Sequence, residues 1–210
     1  SPRFWRAVGV TVDYAARANF QAWLYDEDKW PSGAAGGRTI RANPERYRAM
    51  GLLLKTTDVN GPGQATLKLG GAKYILAARA AGDHGIDGAT IVDLTAAAAR
   101  GERWSIPQGR WRLLEFTATR GAYVLPNYLN PAAVREFINN TYEQYALRFE
   151  KYFGTTIPGV FFDEIYNVTL AWDPLLEERF KAAKGYELRG ILPLLYLDGG
   201  APTVKRSEEH

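Results

Sequence analysis

Two stretches of this sequence end an apolar run in carboxylates, the side chains from which acid/base chemistry is built. In the first, Val160-Phe161-Phe162 is followed by Asp163-Glu164; in the second, Phe20-Gln21-Ala22-Trp23-Leu24-Tyr25 is followed by Asp26-Glu27-Asp28. Pro158-Gly159 closes off the first run, whose unbroken apolar character predicts a strand buried on both faces in a parallel sheet. In an α/β barrel the catalytic side chains sit where strands finish, and both stretches have that shape. If both belong to one barrel, both loops open on the same face. A plainer reading of each acidic cluster is a solvated turn after a strand, and the local residues leave both readings open.

The elements that must position these acids follow from periodicity. Trp5, Val8, Val12 and Ala15 recur at helical spacing and predict a helix over Phe4 to Ala18 ahead of the Tyr25 strand. Tyr123-Val124-Leu125 reads as a short strand. Asn130-Pro131 is a strong helix start, with Val134, Phe137, Ile138, Thr141, Tyr142, Tyr145 and Phe149 as its buried stripe and Gly154 as its end. Asp173-Pro174 starts another helix, which Gly185 terminates. Between these parts, residues 41–120 alternate with period two at Ala65–Leu69, Lys73–Ala78, Thr90–Leu94, Trp104–Ile106 and Arg110–Thr117, with Gln108-Gly109 as a turn. The expected fold is α/β: a partial (β/α)8 TIM-type barrel in two segments, 1–40 and 121–210, interrupted by an antiparallel β-rich insertion at 41–120. About three strands of barrel type are too few to close a barrel of eight. The remaining strands are therefore expected in the rest of a parent chain, and the opening Ser1-Pro2-Arg3 fits an excised or processed piece.

Composition narrows the function classes. With 210 residues, of which 46% are hydrophobic and 23% charged, the chain is of a size and make-up that bury a sizeable core. The net charge of +3 is spread over scattered basic residues, without the clustered footprint expected of a nucleic-acid partner. The absence of cysteine removes disulfides, thiolate nucleophiles and Cys-ligated metals. No apolar run approaches the roughly 20 residues that span a bilayer, so no membrane partner is expected. His84, in Gly82-Asp83-His84-Gly85, reads as a solvated turn residue. The chain carries 6 Trp and 12 Tyr, which suit sugar-binding clefts because an aromatic face packs on the apolar C–H face of a pyranose; large cores use them too.

Several blocks, in order along the chain, carry a resemblance. They are Leu24-Tyr25-Asp26-Glu27 with Trp30-Pro31-Ser32-Gly33 and Ala35-Gly36-Gly37, then Tyr128-Leu129-Asn130-Pro131 with Ala133-Val134. Phe162-Asp163-Glu164 follows, with Trp172, Phe180, Gly185-Tyr186-Glu187-Leu188 and Leu192-Pro193. Together they resemble the α-L-rhamnosidases of glycoside hydrolase family 106 and their relatives. Asn127 and Glu187 stand where that family usually has Asp, and Ile165 where it has Pro. Family members are also several times longer.

The resemblance implies hydrolysis of terminal sugars from plant or microbial polysaccharides, in a secreted or periplasmic enzyme. Two carboxyl groups would do the work, about 6.5–9.5 Å apart if the outcome is inversion. Glu164 is the candidate acid, its ionisation opposed by neighbouring Asp163 and a partly dry cleft. Asp163 either takes part, anchors the loop or holds a sugar hydroxyl. Glu27 and Asp26 are candidates for the opposite wall, or else pin the Trp30-Pro31-Ser32-Gly33 loop through its backbone N–H groups; the base could also lie on a strand outside this chain. Tyr25, Trp30, Tyr166 and Trp172 are candidate sugar platforms or packing residues, and Asn127 a candidate substrate contact. No cofactor is required. A calcium ion held by oxygens such as those of Asp26, Asp163 or Asn127 is chemically reasonable. The contrasting expectation is a non-catalytic carbohydrate-binding or structural fragment, in which the carboxylates only hydrogen-bond hydroxyls.

Overall fold

The structure is a computed structural model and describes residues 1–25, 28, 32–121, 125–163 and 170–199. In chain order the elements are α1 (Pro2–Ala18), β1 (Leu24–Tyr25), α2 (Arg38–Ala42), α3 (Pro44–Tyr47), β2 (Met50–Thr66), β3 (Tyr74–Ala81) and β4 (Gly85–Asp93). They continue with α4 (Thr95–Ala99), β5 (Arg103–Arg120), α5 (Pro131–Asn140), α6 (Tyr142–Phe149), β6 (Val160–Phe161), β7 (Leu170–Ala171) and α7 (Leu176–Lys184). The chain divides into two compact units, one drawn from Ser1–Met50 and Arg120–Val168, the other from Gly51–Thr119 and Thr169–His210.

In the first unit, α1 begins where the Ser1 side chain accepts a hydrogen bond from the Phe4 N–H at 3.3 Å, and it ends at Asn19 in the left-handed conformation. Its apolar stripe does what the spacing predicts. Val12 packs with Leu24, Phe149 and Ile157, and Trp5 and Val8 extend the cluster. β1 and β6 pair in parallel, Leu24 opposite Val160 and Tyr25 opposite Phe161. α5 starts on Asn130, whose side chain accepts from the Ala132 N–H at 3.0 Å. The long helix expected through Phe149 is broken at Thr141 (φ −121°, ψ −88°) into α5 and α6. Asn140 and Thr141 both hydrogen-bond back to carbonyls of the preceding turn, at Glu136 (2.9 Å) and Phe137 (2.7 Å), and such side chains compete with the helical ladder.

The second unit is a five-stranded sheet in the order β4-β3-β5-β2-β7, curled into a half-barrel. β3 pairs antiparallel with β4 and β5, and β2 antiparallel with β7. β3 is the core strand, buried on both faces from Tyr74 to Ala78. On one face Ile75 and Ala77 pack with Leu94, Ala98 and Trp111. On the other, Tyr74 accepts a hydrogen bond from Trp172 Nε1 at 3.3 Å, and Phe116 meets the ring of Tyr196. Inside the sheet, Arg112 makes a bidentate pair with Asp58 (2.6 and 3.0 Å) and donates to the Gly85 and Asp83 carbonyls.

The expected (β/α)8-type barrel is therefore corrected. Helix-then-strand units do precede β1 and β6, but the larger sheet is antiparallel: β2, β3 and β4 follow one another with no helix between them, and only the five-residue α4 separates β4 from β5. Period-two alternation punctuated by Gly-Asp turns makes hairpins, whereas a parallel sheet needs crossovers. The residue Leu170, expected in a loop over the Glu164 strand end, instead pairs with Leu52 of β2. The Val160 run is also not buried on both faces: Val160 is 43% and Phe161 54% exposed. The turn expected at Gln108-Gly109 is absent, since β5 runs through it with Gly109 at a positive φ. Of the short strand expected at Tyr123–Leu125, residues 122–124 lie outside those described.

Candidate functional site

Parallel pairing of β1 with β6 places the ends of the two acid-tipped strands side by side. Strand alternation then sorts the side chains. Leu24 turns into the helical core, and Tyr25 and Phe161 meet edge-on at 5.2 Å on the other face. Trp23 and Asp163 continue that face at two-residue spacing. Gly159 lets Trp23 lie across β6, since a Cβ at this glycine would sit 2.7 Å from the indole. The result is a row of exposed aromatics, Trp23 at 59%, Tyr25 at 45% and Phe161 at 54%, that leads to a carboxylate. Tyr25 donates its hydroxyl proton to Asp163 Oδ2 at 3.1 Å.

The loop that includes Ser32-Gly33 fixes this end of β6. The Asp163 N–H donates to Ser32 Oγ at 2.8 Å, and the Tyr128 hydroxyl donates to the Ser32 carbonyl. Gly33 adopts φ +89°, and a Cβ there would lie 2.4 Å from the Tyr128 oxygen. Tyr128 is brought close by the turn before α5. In that turn the Asn127 N–H donates to Tyr47 O (2.7 Å), and Asn127 Oδ1 accepts from the Leu129 N–H (3.1 Å). The sequence motif thus becomes a clamp: serine bridges to the strand, glycine admits the tyrosine, and the tyrosine holds the serine backbone.

Of the residues singled out from sequence, Tyr25 and Asp163 come together. Asn127 is 3% exposed and serves the turn, so it offers little surface to a substrate. Trp172 is 3% exposed and belongs to the core of the second unit, with Lys73 Nζ 5.2 Å from its ring centre. Glu164, Glu27, Asp26, Trp30 and Tyr166 lie outside the described residues. Trp23, Phe161, Ser32 and Tyr128 were not singled out as site residues. Two-residue alternation from Tyr25 back to Trp23, and from Asp163 back to Phe161, is the signal that finds the first two.

For the calcium set considered from sequence, Asn127 Oδ1 already accepts from the turn it forms and Asp26 is outside the described residues. Among the described residues no group of three or more His, Cys, Asp or Glu converges as metal ligands. What the described arrangement can do chemically is stack an apolar ring face and offer a positioned carboxylate beside it. Compared with family models, with curated proteins and with solved structures, the chain finds no match.

Proposed function

We propose that this chain carries the substrate-facing edge of a glycoside hydrolase, α-L-rhamnosidase-like in its choice of sugar, that removes terminal residues from polysaccharides. The observation that supports it is the register of β1 on β6, which sets two acid-tipped strands side by side behind a row of exposed aromatics. In the proposed chemistry Glu164 is the acid that protonates the leaving oxygen. Glu27 is the carboxylate that activates water from the opposite face. Asp163, tied to Tyr25 and Ser32, positions the strand end and opposes ionisation of its neighbour. Trp23, Tyr25 and Phe161 receive the apolar face of the sugar.

A second function, carbohydrate binding without catalysis, is favoured by the same aromatic row, which needs no second carboxylate to hold a sugar. Release of nitrophenol from an aryl α-L-rhamnoside, measured for the native chain and for Glu164→Gln, separates the two. Turnover that collapses by about 100-fold or more in the variant supports the hydrolase, in line with the loss of a general acid. Equal turnover removes Glu164 from the mechanism. Absence of turnover with rhamnose binding that is lost in Tyr25→Ala supports the binding function. Absence of both turnover and binding refutes the two together.

A further inference from the structure

Within the first unit, a cavity of about 530 Å³ adjoins the end of β1 and is lined by α1, α2 and the α5–α6 junction. Phe4, Trp5, Tyr25 and Tyr145 supply its aromatic wall, and Asp28 and Arg38 its charged one. Tyr25 belongs to both places, since the same residue that borders the cavity donates to Asp163. The volume is in the range of small-ligand sites.

The charged wall is built. The Gly36 N–H donates to the Asp28 carbonyl at 2.8 Å, and Arg38 Nη1 donates to Asp28 Oδ2 at 2.7 Å. Arg41 Nη1 in turn holds the Gly36 carbonyl at 3.0 Å. Gly36 sits at φ +60°, and a Cβ there would come within 2.6 Å of the Asp28 carboxylate, so a larger residue in the Ala35-Gly36-Gly37 turn would push this acid aside. Yet the Asp28 and Arg38 side chains are 53% and 44% exposed, and ion pairs so exposed add little to stability. A turn shaped around a pair that stabilises little points to a ligand.

The chemistry of the wall indicates which ligand. Asp28 neutralises Arg38, so an anion gains little from entering. A carboxylate and a guanidinium held side by side present an acceptor next to a fork of donors, the complement of two adjacent hydroxyls that each donate and accept. Aromatic side chains beside them take an apolar C–H face. We infer that the cavity binds one neutral pyranose residue, with Asp28 and Arg38 clamping a pair of its adjacent hydroxyls; this rests on the carbohydrate function proposed above.

The test is isothermal titration of the native chain with L-rhamnose and with methyl α-L-rhamnoside, repeated on Arg38→Met, Arg38→Lys and Asp28→Asn. Arg38→Met is expected to weaken binding about tenfold or more, the scale of lost charge-assisted hydrogen bonds. Arg38→Lys keeps the charge opposite Asp28, guards against a folding defect, and is expected to lose affinity as well because the fork is gone. Native affinity in Arg38→Met, or no binding of either sugar by the native chain, overturns the assignment. Turnover of the aryl rhamnoside distinguishes it from the hydrolase proposal. If turnover is absent but sugar binding depends on Arg38, the hydrolase falls and the cavity stands. If turnover depends on Glu164 while Arg38→Met leaves KM unchanged, the cavity falls and the hydrolase stands.

Discussion

Replacing Gly33 by alanine tests whether the clamp under Asp163 is as tight as its geometry implies. Two costs add. At φ +89° an L-residue is strained, which costs roughly 1–3 kcal/mol. The new Cβ also lies 2.4 Å from the Tyr128 oxygen and 2.8 and 3.0 Å from two ring carbons, so the ring must move. The Tyr128 hydroxyl then releases the Ser32 carbonyl, a further loss of about 1 kcal/mol. The sum is about 2–4 kcal/mol, or about 30- to 1000-fold in the population of the open loop. The natural readout is amide exchange at Asp163, whose N–H is held by Ser32 Oγ. Its exchange is expected to accelerate over that range in Gly33→Ala, and by only about tenfold or less in Tyr128→Phe, which removes the hydroxyl and adds no clash. In the double variant the nearest of the three contacts is gone, so the effect should fall short of the sum. Exchange at Asp163 unchanged by Gly33→Ala would refute the clamp.

Two further outcomes concern the second unit. Arg112→Met should cost about 2–4 kcal/mol in urea unfolding, because the Gly85 and Asp83 carbonyls lose their donor; it stays below the full price of a broken buried pair because Asp58 is partly exposed and rehydrates. The Arg112 hydrogen bond holds the Asp58 carboxyl below its usual range, so its contribution is present above about pH 4 and lost as pH falls through the lowered folded value; the gap between native and Arg112→Met should narrow there, and a constant gap would refute it. Burial pushes the Tyr74 phenol up to about 12, above its unfolded value, so its contribution is complete below pH 10 and is lost as pH rises towards 12, amounting to about 2–3 kcal/mol. Phenolate absorbance and circular dichroism followed through that window should show unfolding that Tyr74→Phe delays, and an identical alkaline midpoint in the two proteins would count against it.

What the sequence made legible was local. The Trp5-Val8-Val12-Ala15 stripe, the Asn130-Pro131 start and the Gly185 stop depend on neighbours a few residues away, and each appears where the pattern put it. β2 was largely hidden. Its middle, Thr56 to Gly63, is polar and glycine-rich, and the charge of Asp58 makes sense only once Arg112 of β5 faces it. The extent of the parallel sheet, two strands and not part of a barrel, was misjudged for a related reason. An apolar run with acids at its end describes how one strand finishes, not what lies on either side of it. Val160 and Phe161 show the difference, being apolar by sequence and exposed in the fold.

The site divides along the same line. That Tyr25 and Asp163 meet, 138 residues apart, follows from a parallel register that no local rule supplies; only the repeated strand-then-acid pattern hinted at it. Ser32 and Gly33 were noticed as a motif, but their work lies in tertiary contacts, one bridging to the Asp163 backbone and the other making room for Tyr128. Gly36 does the same for Asp28. At these glycines the backbone passes close to a specific side chain, and an added methyl meets that partner as well as an unfavourable φ. The loop glycines therefore mark where the chain is shaped around Asp163 and Asp28, the two described carboxylates on which the sugar-binding proposals depend.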